Sequence, residues 1–178
     1  MSGGASMLEA LIFVIFPFCM VFAAVSDALS MTIANRVSLV LVGSFMVIAP
    51  LTGMEWSTVG MHLAAGALVL SATFVLFAIG GMGGGDAKLM AATAVWMGFD
   101  MLLVEYLIYA SFVGGLLTLA TLMYRKSFLA DFTRDNMFLR HFGDTSVGIP
   151  YGVALGFAGL VIYPKTALAA WAIARLAG

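Results

Sequence analysis

The chain is poor in charge. Of its 178 residues only 10% are Asp, Glu, Lys or Arg, while 63% are apolar. A soluble domain carries about 25% charged residues to cover its surface. This one cannot cover a surface with so few, and a mean hydropathy of +1.10 points to lipid as its solvent. A strong net charge is also missing: the balance is −1. With basic residues scattered and no aromatic–basic interleaving, nucleic-acid binding is excluded. Cysteine is nearly absent. Cys19 stands alone inside an apolar run, which excludes a disulfide framework and a multi-Cys zinc site within one chain. It reads as a small core or lipid-facing residue. No metal or cofactor is expected. The first apolar run lacks a basic leading segment and a clear small-x-small cleavage site, so it reads as a membrane helix rather than a signal peptide.

What is present is a series of apolar runs. A spanning helix needs about 20 such residues. The candidate spans are Leu8–Val25, Val37–Leu51, Val59–Ile79, Ala87–Phe99, Leu102–Tyr124 and Val147–Tyr163. The runs are continuous rather than alternating, which predicts helices and not a barrel. The expected fold is therefore all-α and polytopic, with about six transmembrane helices. The fourth span is short, and is expected to be extended or buried by its neighbours. The tail 166–176 either continues the sixth helix or lies along the interface. No internal repeat or Pro/Ser-rich linker divides the chain, so residues 1–178 read as a single membrane-embedded domain. The longest loop, about 125–146, has Phe128, Phe132, Leu139 and Phe142 at roughly helical spacing. It is read either as an amphipathic surface helix or as a polar connector.

Lys and Arg set the orientation. The loops after spans one, three and five hold Arg36, Lys88, Arg125, Lys126, Arg134 and Arg140, and the other side holds Lys165 and Arg175. This bias puts the first group in the cytoplasm and the N-terminus outside. The first helix then ends, and the fourth begins, at the cytoplasmic face. Asp27 and Asp86 fall at one membrane depth.

Asp86 follows the stretch Gly80-Gly81-Met82-Gly83-Gly84-Gly85. Glycine admits positive φ and close approach of another segment, and the aspartate then opens a helix, where the dipole favours its anionic form. The acid in Gly85-Asp86-Ala87-Lys88 would repel phosphate, which argues against a P-loop. Asp27 ends a long apolar run, a costly place unless it is hydrated or paired. On its own it reads equally well as a residue reaching interfacial water. Two carboxylates at one depth in a partly wet, low-dielectric cavity couple their titrations. One member can serve as general base on a water and the other as general acid.

Three segments carry a resemblance. Gly83-Gly84-Gly85-Asp86-Ala87-Lys88-Leu89, the Ile33-Ala34-Asn35 segment six to eight residues after Asp27, and Ile149-Pro150-Tyr151-Gly152 stand in the order found in the prepilin peptidases. The chain resembles that family over about Ser26 to Gly152. The first segment also matches the Gly-x-Gly-Asp motif of intramembrane-type aspartic proteases. The resemblance implies an enzyme that cuts the basic leader from type IV prepilin or pseudopilin precursors at the cytoplasmic face of a bacterial or archaeal membrane. The cut falls after a glycine that precedes the precursor's hydrophobic segment. It implies Asp27 and Asp86 as the catalytic pair, with Gly83 and Gly85 giving the loop freedom to present Asp86, and Asn35 and Pro150 as supporting positions. Lys88 is placed to steady a carboxylate or a lipid phosphate, or simply to snorkel. Ala34 replaces a family proline, and Val153 stands where a second is common. The larger relatives carry a cysteine-paired N-terminal insert with a linked methyltransferase. The expectation here is peptidase activity without methylation, as in the small forms that serve Flp-type, tight-adherence pili, with pilus assembly machinery as a possible partner.

Two other readings stay open: a proton-coupled carrier using the two aspartates, and a non-catalytic assembly scaffold. Asp131, Asp135 and Asp144 read as a solvated loop or a contact for a basic leader. Glu9, Glu55, Asp100 and Glu105 lie too far in depth to join the pair. His62 reads as a hydrogen-bonded helix residue rather than a ligand.

Overall fold

The computed structural model describes residues 3–127 and 148–177. Among them the chain is helical, with no strand. The elements are α1 (Gly3–Ser30), α2 (Asn35–Leu51), α3 (Trp56–Ala78), α4 (Gly84–Met97), α5 (Met101–Arg125), α6 (Tyr151–Ile162), a 3₁₀ turn (Tyr163–Lys165) and α7 (Ala167–Ala177). Each of the six expected spans overlaps one of the helices α1 to α6. The stretch 128–147, including most of the expected surface segment, lies outside the described residues.

Three segments, Met7–Ser30, Trp56–Ala78 and Met101–Arg125, are long and apolar enough to cross a membrane, and a fourth is added if α6 and α7 count as one bent span. Their outer faces carry Val14, Phe18, Leu68, Phe74, Ile108 and Leu119, all exposed. Such faces suit lipid, where a helix satisfies its own backbone hydrogen bonds.

The 14-residue α4 spans about 21 Å at the helical rise, short of the ~30 Å hydrocarbon core. Of the two expectations for this segment, burial is the one realised: every residue from Leu89 to Met97 is buried. The helix is apolar on all sides because it packs on all sides, chiefly against α3 and α2 and also against α6 and α5. Trp96, fully buried, donates its indole N–H to the Leu41 carbonyl at 2.9 Å and ties α4 to α2. Phe16 stacks on Tyr163 with centroids 4.6 Å apart and leans on Trp96 at 5.1 Å, which joins α1 to the same cluster. Gly98, at φ +75°, ends α4, and Asp100 opens α5 by accepting the Met101 amide at 2.6 Å.

Small residues let the helices approach. At Gly66 of α3 a Cβ would fall inside the Val95 side chain of α4 and 3.1 Å from the Ala91 carbonyl oxygen. At Gly156 of α6 it would lie 2.7 Å from the Met20 carbonyl of α1. The tail does not extend the sixth helix. After the 3₁₀ turn the axis bends by 48° into α7, whose Leu168, Ala169 and Ala172 are buried.

Close packing at Gly66 predicts the result of filling it. Gly66→Leu should destabilise the protein by about 1–3 kcal/mol through overpacking. Gly60→Leu on the same helix, where a Cβ meets nothing within 4 Å, should not. Thermal unfolding of the two variants in one detergent checks the difference.

Candidate active site

The site is built where the end of α1 meets the starts of α4 and α6. Asp27 lies one turn before the end of α1 and is 5% exposed. Beyond it the chain reverses within four residues. Met31 takes the left-handed conformation at φ 52° and returns its amide to the Asp27 carbonyl at 2.8 Å. Ser26 donates to the Thr32 carbonyl at 2.9 Å and Ser30 to the Ser26 carbonyl at 2.7 Å, so hydroxyls fasten the turn. Ile33, buried by this reversal, then points back into the bundle.

Gly152 supplies the partner of Asp27. Its backbone N–H donates to Asp27 Oδ2 at 2.6 Å, across 125 residues of sequence. Gly152 is the second residue of α6, and the first amides of a helix have no partner within it. Asp27 thus caps a helix far from its own. Pro150 immediately precedes α6 and lacks the N–H that would have needed a partner there. No side chain fits at Gly152: a Cβ would lie 2.8 Å from Asp27 Oδ2 and 2.7 Å from Ile33 Cδ1.

Asp86 is the third residue of α4, with Gly83 as the residue before the helix. Its carboxylate turns back toward Gly83. A Cβ on Gly83 would come within 2.7 Å of Asp86 Oδ2. The other oxygen, Oδ1, is buried and takes no hydrogen bond from the described residues. Asp27 lies against Gly152, and Asp86 follows Gly85; Ile33 packs on both glycines, which places the two aspartates around one side chain.

Ile33 joins the three segments. It touches Gly152 on one side, and on the other a Cβ at Gly85 would stand 3.2 Å from its Cβ. Gly83 and Gly85, expected to give the loop conformational freedom, are also places of close contact. In the glycine run only Gly80 has positive φ, at +77°. Gly83 and Gly85 are needed because a carboxylate and an isoleucine press against them. Ala34 holds φ −65°, the value a proline would impose, so the missing proline leaves the turn in the same shape. Val153 donates its amide to the Pro150 carbonyl at 3.2 Å, a bond that proline could not make.

Among the described residues Lys88 meets an amide and not a carboxylate. Its ammonium donates to the Asn35 side-chain oxygen at 2.9 Å, which links the start of α2 to the start of α4. Glu9 lies eighteen residues before Asp27 on the same helix, about 27 Å away at the helical rise. His62 donates through Nδ1 to the Val95 carbonyl at 2.8 Å and stacks on Phe45 at 5.0 Å, a packed helix residue as expected. Sequence reasoning missed two tyrosines that lie within range of the Asp86 charge. Tyr106 of α5 is fully buried, and its hydroxyl makes no close hydrogen bond among the described residues. Tyr151 of α6 donates to the Ala110 carbonyl at 3.2 Å. Tyr151 and Gly152 were visible inside the late segment, although neither was given a role. Tyr106 has no local signal in its apolar span.

Comparison with known proteins matches the sequence to one family. The type IV leader peptidase family profile covers residues 14–119, a stretch that takes in both aspartates. The chain belongs to that family. No curated protein and no solved structure matches it. The matched region ends before α6, so the Gly152 amide that holds Asp27 comes from outside it.

The fit around Gly152 predicts a specific defect. Gly152→Ala should push Asp27 and Ile33 aside and lower leader-peptide cleavage by about 10²-fold, the cost of a misplacement of about 1 Å. Gly148→Ala, where a Cβ meets nothing within 4 Å, should leave cleavage unchanged. Initial-rate assays on the two purified variants check this, with size-exclusion profiles confirming that both remain folded.

Proposed function

We propose that this protein is a membrane-embedded aspartic endopeptidase that removes the leader from type IV, Flp-like prepilins at the cytoplasmic membrane face. What supports the reading is that the segments carrying Asp27 and Asp86, far apart in sequence, pack around Ile33 inside a chain of the leader peptidase family.

Two acids a short distance apart hold one proton between them more readily than two charges. Asp27, held by a backbone amide at a helix start, is the better place for the charge. Asp86, with Oδ1 free of partners, is the better place for the proton. In this scheme Asp27 removes a proton from the attacking water. Asp86 donates a hydrogen bond to the scissile carbonyl, and a proton then passes to the leaving amine as the tetrahedral intermediate breaks. No covalent enzyme intermediate forms. Asn35, Lys88, Gly83, Gly85 and Pro150 support the pair through the turns and helix starts that position it.

The layout belongs to the same proposal. Six spans form a single domain with the N-terminus outside, and both catalytic loops face the cytoplasm, in a bacterial or archaeal inner membrane. The exposed apolar faces of α1, α3 and α5 support embedding, and the distribution of Lys and Arg supports the orientation. Cys19, buried in α1, has no second cysteine to pair with in this sequence. That supports cleavage without methyl transfer. Pilus assembly machinery is the proposed downstream partner.

Co-expression with a candidate Flp-type prepilin tests the assignment. The wild type should shift the precursor to its mature size on a gel, and Asp27→Asn or Asp86→Asn should each slow this by about 10²–10⁴-fold. Full processing by both variants would sink the reading.

A further inference from the structure

A groove of about 510 Å³ lies between α2, α3 and α4. It exists because α2 and α3 each pack on α4 but scarcely on one another. Its floor is made of small residues, Ala91 and Ala92 of α4 and Gly66 of α3, and its walls include Leu39, Val42 and Leu70. From Lys88 to Val95 it runs seven helical steps along α4, about 10 Å at the helical rise, or roughly a third of the ~30 Å hydrocarbon core.

One end is polar. Lys88 and Asn35 line it, hydrogen-bonded to each other at 2.9 Å. That bond is to a neutral amide, and among the described residues no acid compensates the lysine charge. The start of α2 adds to it. Ala34 offers no capping side chain and no acid occupies the first turn, so the positive end of the helix dipole is also uncompensated. Ser38 lines the groove as well, and its hydroxyl is buried without a hydrogen-bond partner. A cationic, donor-rich rim above an apolar trough complements an anionic headgroup with an acyl chain below it.

The groove is turned away from the aspartates. At 3.6 residues per turn, Lys88, Ala91, Ala92 and Val95 fall within about 60° of the point opposite Asp86 on α4. A substrate helix seated there would have α4 between itself and the pair. We infer that this groove binds one anionic glycerophospholipid, with its phosphate on Lys88, Asn35 and the start of α2 and an acyl chain along Ala91, Ala92 and Val95. The lipid would clamp the starts of α2 and α4 together, next to the segments that carry Asp27 and Asp86. This inference stands apart from the peptidase reading, because its readout is binding and not cleavage.

Native mass spectrometry of the delipidated full chain in a mild detergent tests it, titrating phosphatidylglycerol against phosphatidylcholine of the same chains. The wild type should bind one phosphatidylglycerol about fivefold or more tightly than phosphatidylcholine, the preference expected of one lysine near a phosphate. Lys88→Gln should equalise the two lipids. Ala67→Trp, at an exposed groove position of α3, should abolish retention of both. Leu116→Trp on the exposed face of α5 should keep the wild-type pattern, which separates loss of the site from misfolding. Free glycerol phosphate should not compete, since it lacks the chain. An unchanged lipid preference in Lys88→Gln, or retention in Ala67→Trp, overturns the inference. So does a photo-crosslinking residue at position 67 that captures a prepilin helix in place of lipid.

Discussion

The site depends on a backbone amide. Asp27 is almost fully buried, and a carboxylate in that position is costly unless donors surround it. Gly152 meets the requirement with an N–H that its own helix cannot use. One contact therefore satisfies two unpaired groups, the acid on α1 and the first-turn amide of α6. The rest of the local structure follows from it. Position 152 must be glycine for the amide to come so close, α6 must begin at that point, and Ile33 must fold back to close the space beside it.

Seen in this way, the glycines around the pair act mainly as clearances. Gly83 makes room for a carboxylate, Gly85 for Ile33, and Gly152 for both Asp27 and Ile33. Three segments separated widely in sequence thus meet around one isoleucine. Helix packing farther along the bundle uses the same device at Gly66 and Gly156. The buried α4 is the common element: its start carries Asp86, its floor lines the groove, and its far end is anchored by Trp96.

Much of this was legible in advance because it is local. Continuous apolar runs gave the helices, and an aspartate after a glycine run placed Asp86 at a helix start. The charge-derived orientation puts Asp27 and Asp86 at the same end of their spans, and that shared depth is what suggests them as a pair from the sequence. The parts that were not legible involve partners distant in sequence. Nothing near Gly152 signals that its amide will meet Asp27, because a donor on the backbone leaves no mark on residue identity. Lys88 looked equally suited to a carboxylate or a phosphate until α2 brought Asn35 within 2.9 Å. Tyr106 is one aromatic among many in an apolar helix, and only the packing of α5 brings it near Asp86. The direction of the tail was set by the 3₁₀ turn at Tyr163–Lys165, where the bend depends on tertiary contacts with α1.

The span of sequence between Asp27 and Gly152 also orders events during biogenesis. Both aspartates emerge from the ribosome well before α6, and helices enter the membrane as they are made. Until Gly152 itself has been synthesised, Asp27 has no amide to hold it. The nascent protein therefore passes through an interval in which its two acids are already in the bilayer but unassembled. The contact arrives with α6, so a truncated product that stops before Gly152 carries both aspartates and still lacks the amide that sets the first of them in place.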